Sequence, residues 1–308
     1  HNEMGFLGGD GGSCDIVFEN CEFAYNGYGD GYSHNIYVGE CNSFTMKHSY
    51  SHHSLVGHLV KSRARNNYIL YNRLMDYADG RSSRCIDLPQ GGFSVVMGNL
   101  IQHGPLAENE HMLGYSCESN NDWPDQRLWV VNNTFVSDYD DAAWPACFVQ
   151  NAGTTTAAVV KNNLFVYAGT NLPVAYVGPC ELTSNILVHA SLAGLRDVAG
   201  YDYRLTQSSP AIGAGVDAGS ADEYQLAPDS QYVHPLSSVS RLLDGAIDVG
   251  AYEFTLPRIG EIVAAGSGQF RVTWSGATGG VHVDCRTNLL TGDWLEVTGP
   301  VRSATSCV

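Results

Sequence analysis

The sequence predicts an all-β protein built mainly as a right-handed parallel β-helix. Short apolar strands recur along the chain, and a polar turn that often carries asparagine follows each of them. These units come at steps of solenoid size, with no helical segment between them. Charged residues make up only 16% of the chain and glycine is abundant, a composition typical of strands and turns rather than of helices.

Seven segments share the pattern of an apolar strand, a polar turn and a second apolar pair. They are residues 15–23, 44–50, 68–75, 94–101, 128–135, 158–165 and 181–187. With Cys21, Ser49, Arg73, Asn99, Asn133, Asn163 and Asn185 as equivalent points, the steps are 28, 24, 26, 34, 30 and 22 residues. We expect the asparagine to adopt the left-handed backbone at the bend and to stack on the asparagine of the next coil. A β-sandwich with accidental turn similarity is the alternative.

A second series of strands lies between these units, at residues 35–38, 58–61, 85–88, 112–115, 147–149 and 174–177. Stacked coils would place these strands in a second parallel sheet. The side chains that point outward from it would then form one continuous face. We expect Tyr37, Lys61 and Asp87 to meet there at one coil spacing, ~4.8 Å.

The acidic charge balance narrows the choice of partners. The chain has 308 residues and a net charge of −16, whereas binding to nucleic acid needs a basic face. No apolar run approaches the ~20 residues that span a bilayer, and no secretory signal is present. We therefore expect neither nucleic acid nor membrane as a partner. Nine cysteines in a lysine-poor chain favour an oxidising, extracellular setting, and His1 begins in mid-pattern, as a processed or incomplete N-terminus would.

Cationic and titratable side chains are concentrated between residues 30 and 92. Two of the three lysines lie there, with five arginines and five of the eleven histidines. A local cationic cluster in an acidic chain can attract an anionic glycan. We expect this stretch to form the floor of a groove that binds, and cleaves, an acidic polysaccharide. The sequence indicates neither the sugar nor the oligomeric state.

Three stretches, residues 29–38, 56–64 and 86–92, resemble secreted bacterial parallel β-helix repeat proteins of the pectate-lyase-like superfamily. The resemblance covers residues 1–254 and implies carbohydrate activity. Lys61-Ser62 is similar to the pair that supplies the catalytic lysine in the alginate lyase and chondroitinase B group. The Arg-His pair of that group is absent one coil later, where Arg84-Cys85 stands.

The calcium-binding carboxylates of that group are not evident either, because Ser54 and Val56 occupy the similar positions. We therefore expect no cofactor and assign no metal site, and calcium stays the open alternative without an evident ligand set. Within the same resemblance, residues 1–199 are the β-helix, and residues 200–257 look like the closing segment of such proteins. Residues 258–308 resemble a small appended β-sandwich. Cys285 and Cys307 lie near the two ends of that module, and we expect a disulfide between them.

β-Elimination at a uronate needs a group that neutralises the carboxylate, a base for the C5 proton and an acid for the leaving oxygen. The predicted catalytic residues are Lys61 or His58 as base, Arg63 as carboxylate clamp and Tyr37 as proton donor. The predicted substrate-binding residues are His34, Asn35, His53, Arg84, Asp87 and His111. Arg84 is the alternative carboxylate clamp, and Asp87 would orient a cation or serve as an acid. Strand alternation leaves the direction of His58 and Lys61 open, and a bulge would place both outside. Lys61 in particular is expected to affect turnover more than glycan binding.

Other functions remain open from the sequence. A glycoside hydrolase would use two carboxylates drawn from Asp30, Asp87, Glu110 and Glu118. A non-catalytic glycan-binding or structural solenoid would use the polar face without chemistry. A copper site at the amino group and imidazole of His1 needs a second placed histidine and a different fold.

Overall fold

The computed structural model describes residues 2–9, 11, 13–118, 123–243 and 245–255. Beyond these it describes the backbone of five strands between residues 258 and 307. The chain divides into two compact units, His1–Phe254 and Thr255–Val308. Strands are numbered in chain order from β1 to β32.

The first unit is a right-handed parallel β-helix of three seven-stranded sheets, which confirms the predicted fold class. Sheet 1 contains β1 (Phe6–Gly8), β4 (Ile36–Val38), β7 (Val60–Ser62), β10 (Ile86–Leu88), β13 (His111–Tyr115), β16 (Cys147–Asn151) and β19 (Val174–Val177). Sheet 2 contains β2 (Asp15–Glu19), β5 (Ser43–Lys47), β8 (Asn66–Leu70), β11 (Phe93–Met97), β14 (Leu128–Val131), β17 (Ala158–Lys161) and β20 (Cys180–Thr183). Sheet 3 contains β3 (Glu22–Ala24), β6 (Tyr50–His52), β9 (Arg73–Met75), β12 (Leu100–His103), β15 (Thr134–Ser137), β18 (Leu164–Tyr167) and β21 (Ile186–His189).

A ladder of side chains fixes the bend between sheets 2 and 3. The backbone N–H of Asn99 donates to Asn133 Oδ1 at 2.9 Å, and the backbone N–H of Asn133 donates to Asn163 Oδ1 at 3.0 Å. At the coil where Arg73 was expected, the ladder residue is instead Asn72, whose N–H donates to Asn99 Oδ1 at 2.8 Å. The left-handed backbone also belongs to the preceding residue, as at Asn132 with φ 52°. The left-handed residue turns the chain, and the side-chain amide of the residue after it therefore faces inward and reaches the neighbouring coil.

The segment after β21 covers the outward faces of sheets 2 and 3. It contains one 3-10 turn (Ala190–Leu192) and three antiparallel pairs, β22 (Leu195–Asp197) with β23 (Asp202–Leu205), β24 (Ser220–Ala221) with β25 (Tyr224–Gln225), and β26 (Ser230–Val233) with β27 (Ser237–Ser240). Tyr203 and Tyr232 belong to the same apolar cluster as Leu100 of sheet 3, and Leu226 belongs to that of Trp129 of sheet 2.

This placement differs from the expectation that the segment closes the last coil. Core-facing strand residues of that coil, such as Leu182 and Leu187, remain exposed. The apolar outward positions of sheets 2 and 3, such as Val95 and Leu100, explain the difference, because they would otherwise lie in water.

In the second unit, β28 (Arg258–Gly266) pairs antiparallel with β29 (Gln269–Ser275), which pairs with β32 (Ser306–Cys307). The strands β30 (Asp284–Cys285) and β31 (Leu295–Glu296) form a further antiparallel pair. The expected disulfide between Cys285 and Cys307 lies outside the residues whose side chains are described, and it stays a prediction. The cysteines that are described in the first unit, Cys14, Cys21, Cys41, Cys85, Cys117, Cys147 and Cys180, are free thiols. Within the described residues, no helix is long and apolar enough to cross a membrane.

Candidate functional site

The outward face of sheet 1 carries one residue of every coil in a single row. The strand register aligns Leu7, Tyr37, Lys61, Asp87, Gly114, Gln150 and Val177. The apolar contacts of the segment after β21 are with sheets 2 and 3 instead. Three residues predicted to meet, Tyr37, Lys61 and Asp87, are therefore neighbours on successive strands of sheet 1.

Two consecutive core residues decide the direction of the side chains around Lys61. Leu59 and Val60 are both fully buried in the interior of the solenoid. Alternation is therefore interrupted at the corner where the chain enters β7, and His58 and Lys61, on either side of the pair, both reach Asp87. Of the alternatives open from the sequence, the structure has the one with both side chains on the same face.

Asp87 lies at the centre of this charge cluster. Its side chain is 2% exposed, and its carboxylate lies 2.8 Å from Arg84 Nη1 and 3.3 Å from both Lys61 Nζ and His58 Nε2. Burial by itself would raise the pKa of Asp87, but the adjacent His58, Arg84 and Lys61 outweigh burial and hold the pKa below its usual value of 3.8. Asp87 is thus a buried anion that orients the cations above it, one of the two roles predicted for it, and it does not contact substrate directly.

His34 and His58 stack on one another at the corner that leads into sheet 1, with ring centroids 4.7 Å apart. The backbone N–H of His58 donates to His34 Nδ1 at 3.0 Å, and the backbone N–H of Arg84 donates to His58 Nδ1 at 3.1 Å. The proton of the neutral His58 ring therefore sits on Nε2, which faces Asp87. Burial lowers the pKa of His58 to about 4 and that of His34 to about 3. The predicted role of His58 as a base does not fit this bonding, because neither ring nitrogen has a free lone pair.

Arg84 lies across Gly114 and is used within the protein. Its Nη1 bonds to Asp87 Oδ1 at 2.8 Å and its Nη2 to Gln150 Oε1 at 3.1 Å. A Cβ atom on Gly114 would lie 2.9 Å from Arg84 Nε, so the guanidinium occupies the space that the glycine leaves. Arg84, predicted to bind substrate, is therefore a residue that positions Asp87.

Glu118 joins the remaining cations of the face. Its Oε1 lies 3.0 Å from Lys61 Nζ and its Oε2 lies 2.6 Å from Arg63 Nη2. Arg63 Nε also donates to Tyr37 Oη at 2.8 Å, and Lys61 Nζ lies 5.6 Å from the centre of the Tyr37 ring. Lys61 and Arg63 thus hold a carboxylate beside a phenol hydroxyl. We call Tyr37, Lys61 and Arg63 the carboxylate site.

Asn35 is part of the solenoid interior, contrary to its predicted role in substrate binding. Its amide is fully buried and donates to His52 O at 2.8 Å, to Ser51 Oγ at 3.1 Å and to Phe23 O at 3.2 Å. An amide at this bend supplies the hydrogen bonds that turning backbone groups lack. It is therefore out of reach of a ligand on the outer face.

His53 and His111 lie apart from the carboxylate site. His53 stacks between Tyr25 and Tyr77, with centroid distances of 4.6 and 5.2 Å, and its Nε2 lies 3.1 Å from Asp79. His111 opens β13, and its Nδ1 lies 3.1 Å from Glu110 Oε1. The described contacts of these two histidines are with other residues than Tyr37, Lys61 and Arg63.

Sequence reasoning left Gly114 and Gln150 out and considered Glu118 only as a hydrolase carboxylate. Glu118 follows β13 and reaches back past β10 to contact Lys61 on β7, a contact across 57 residues. This loop lies within the longest step of the asparagine ladder, the 34 residues from Asn99 to Asn133. The length of that step was the feature of the sequence that indicated a long loop there.

Among the described residues, no group of three or more histidine, cysteine or acidic side chains is arranged to hold a metal ion. No family model, curated protein or solved structure matches the chain. The geometry of the sheet-1 face is therefore the basis for proposing a function.

Proposed function

We propose that this protein is an extracellular polysaccharide lyase that cleaves an acidic, uronate-containing polysaccharide by β-elimination at the carboxylate site. The observation that carries the proposal is the carboxylate of Glu118, which Lys61 and Arg63 bind together beside Tyr37 Oη. A uronate carboxylate that takes the place of Glu118 would meet the same two cations. The extracellular location follows only from composition.

In this proposal Lys61 and Arg63 neutralise the sugar carboxylate, which makes the neighbouring C5 proton acidic. Lys61 Nζ lies within hydrogen-bonding distance of Glu118 and within ion-pair distance of Asp87, an environment suited to a charge-stabilising ammonium group rather than to a base. Tyr37 Oη then transfers the proton. The C5–H electron pair forms the C4=C5 double bond, the C4–O4 bond breaks, and O4 leaves with the phenol proton while the phenol oxygen receives the proton of C5.

Hydrolysis by two carboxylates is less well supported. Asp87 and Glu118 both contact Lys61 Nζ, so they are close enough to act as a pair. A glycosidase, however, needs one protonated carboxylic acid near neutral pH. Burial opposes the shift in each case, yet the pKa of Asp87 and that of Glu118 are both lowered by their cationic neighbours. Neither is suited to donate a proton to a leaving oxygen.

The test is incubation with a panel of uronate and neutral polysaccharides. Elimination produces an unsaturated sugar that absorbs ultraviolet light, hydrolysis produces reducing ends without that absorbance, and a binding protein produces neither. In an active preparation, Tyr37→Phe should lower kcat by roughly 10²-fold or more with little change in glycan affinity. The matched control is Tyr176→Phe in β19, outside the carboxylate site. Full activity of Tyr37→Phe would contradict the assignment of the proton-transferring group.

A further inference from the structure

We propose that two exposed aromatic loops, one with Tyr28 and Tyr32 and the other with Trp144, are sugar-stacking sites beside the second and the sixth strand of sheet 1. The ligand would then be a linear acidic polysaccharide that runs parallel to the solenoid axis. This inference depends on the proposed function for the acidity of the polymer, and it adds its direction and length.

The three side chains are far more exposed than large aromatic residues usually are. Tyr28 is 71% exposed, Tyr32 81% and Trp144 66%. All three belong to loops that lead from sheet 3 into sheet 1, before β4 for the tyrosines and before β16 for the tryptophan. Aromatic rings present a flat apolar face with a polar edge, which suits the apolar faces of sugar rings.

An aspartate fixes each loop in the same way. Asp30 Oδ1 accepts the backbone N–H groups of Tyr32 at 2.9 Å and of Ser33 at 3.0 Å. Asp141 Oδ1 accepts those of Ala143 at 2.8 Å and of Trp144 at 3.0 Å. In both loops the carboxylate binds the second and third following residues, so the aromatic ring is held on an ordered turn. A pre-ordered turn loses less conformational entropy when it binds a ligand.

The first loop lies at the coil of Tyr37, where the carboxylate site begins, and the second loop lies three coils beyond Lys61 along the axis. Sheet 1 has the strand order β4-β7-β10-β13-β16, so the loops are four coil spacings apart, ~19 Å. Lys61 on β7 lies between them. His34, two residues after Tyr32, packs edge-on against Tyr37 with centroids 5.4 Å apart, which connects the first loop to the site. A polymer that runs parallel to the axis past these loops would meet the tyrosine loop at the coil of Tyr37, then the two cations one coil further on, then the tryptophan loop.

The experiment compares short with long ligands. Binding of dimers and hexamers of galacturonate and of mannuronate would be measured by titration calorimetry, with Tyr37→Phe as the background so that no ligand is consumed. Tyr32→Ala and Trp144→Ala should each weaken hexamer binding by roughly three- to tenfold, and Trp144→Ala, three coils from Lys61, should leave dimer binding nearly unchanged. Leu242→Ala is the control, because Leu242 is 63% exposed and lies after β27, in neither of the two aromatic loops.

Several outcomes would overturn the inference. They are equal affinity for dimers and hexamers, no loss in the aromatic variants beyond that of Leu242→Ala, or no binding of either hexamer. Failure of the proposed function has a different signature, which is length-dependent hexamer binding that responds to Tyr32 and Trp144 but yields no unsaturated product with the unsubstituted protein.

Discussion

Lys61 Nζ lies 3.3 Å from Asp87 Oδ2, across two neighbouring strands on which the two residues are directly opposite one another. The aspartate is buried beneath the face, and the lysine extends from it towards Glu118 on the other side. The two carboxylates therefore have different surroundings. The buried one holds the cation in place, and the outer one has, in our proposed function, the position of the substrate carboxylate.

We expect Asp87→Asn to lower the free energy of unfolding by about 3 kcal/mol or more, because the largely buried Arg84 would lose the carboxylate that it contacts and Lys61 would keep only the more exposed Glu118. Glu118→Gln is the matched comparison. Glu118 is 43% exposed, and loss of its ion pairs should cost no more than about 1 kcal/mol. Urea denaturation of the three proteins measures both values. Equal destabilisation by the two substitutions would contradict the distinction between the buried and the outer carboxylate.

Asn133→Ala should also destabilise the fold, by about 3 kcal/mol, because it interrupts the middle of the asparagine ladder. The Asn133 amide donates to Val96 O at 2.8 Å and to Asn163 Oδ1 at 3.0 Å, and its oxygen accepts the N–H of Asn99 at 2.9 Å. Each buried group left unpaired costs roughly 1–3 kcal/mol. Asn185→Ala, at the partly exposed end of the ladder, should cost less. The midpoints of urea denaturation would show the order, and the reverse order would contradict it.

The solenoid could be predicted because its cause is repeated in every coil. Each coil needs an apolar strand, a bend and an amide that pairs with the next coil, and Asn99, Asn133 and Asn163 show this pattern without any knowledge of the structure. Arg73 was placed one residue out of position because both Asn72 and its neighbour are polar. The backbone shows that Tyr71 is the left-handed residue of this bend, so that Asn72, the residue after it, belongs to the ladder.

The site was less predictable because it depends on exceptions to the repeat. The consecutive core residues Leu59 and Val60 interrupt alternation, and no pattern of period two indicates where that occurs. Glu118 belongs to a loop whose length varies from coil to coil. Asn35 looked like a ligand-binding residue since it is polar and lies beside His34, yet its amide is used by the backbone of the interior.

Acid should destabilise the protein through its buried histidines. Burial lowers the pKa of His103 to about 4 from the usual 6.5, while the ring lies 3.1 Å from Ser83 O through Nε2. Between about pH 6.5 and 4 the unfolded chain therefore binds more protons than the folded one, and the free energy of unfolding falls as the pH falls. His103→Asn removes one such group. The fall across this window, measured by urea denaturation at several pH values, should then be shallower by up to one proton, and an unchanged slope would contradict the assignment.

Glu118→Gln should strengthen the binding of acidic oligosaccharides, because a uronate carboxylate no longer has to displace the protein's own carboxylate from Lys61 and Arg63. We expect a gain of several-fold for a uronate hexamer and no change for a neutral glucan hexamer, with the gain reduced at high salt. Calorimetric titration of both ligands measures it. The matched control is Glu108→Gln, which removes the same charge from an exposed ion pair with Arg81. An equal gain in both variants would show only a change in net charge, and no gain in Glu118→Gln would contradict the proposal that Glu118 occupies the position of the substrate carboxylate.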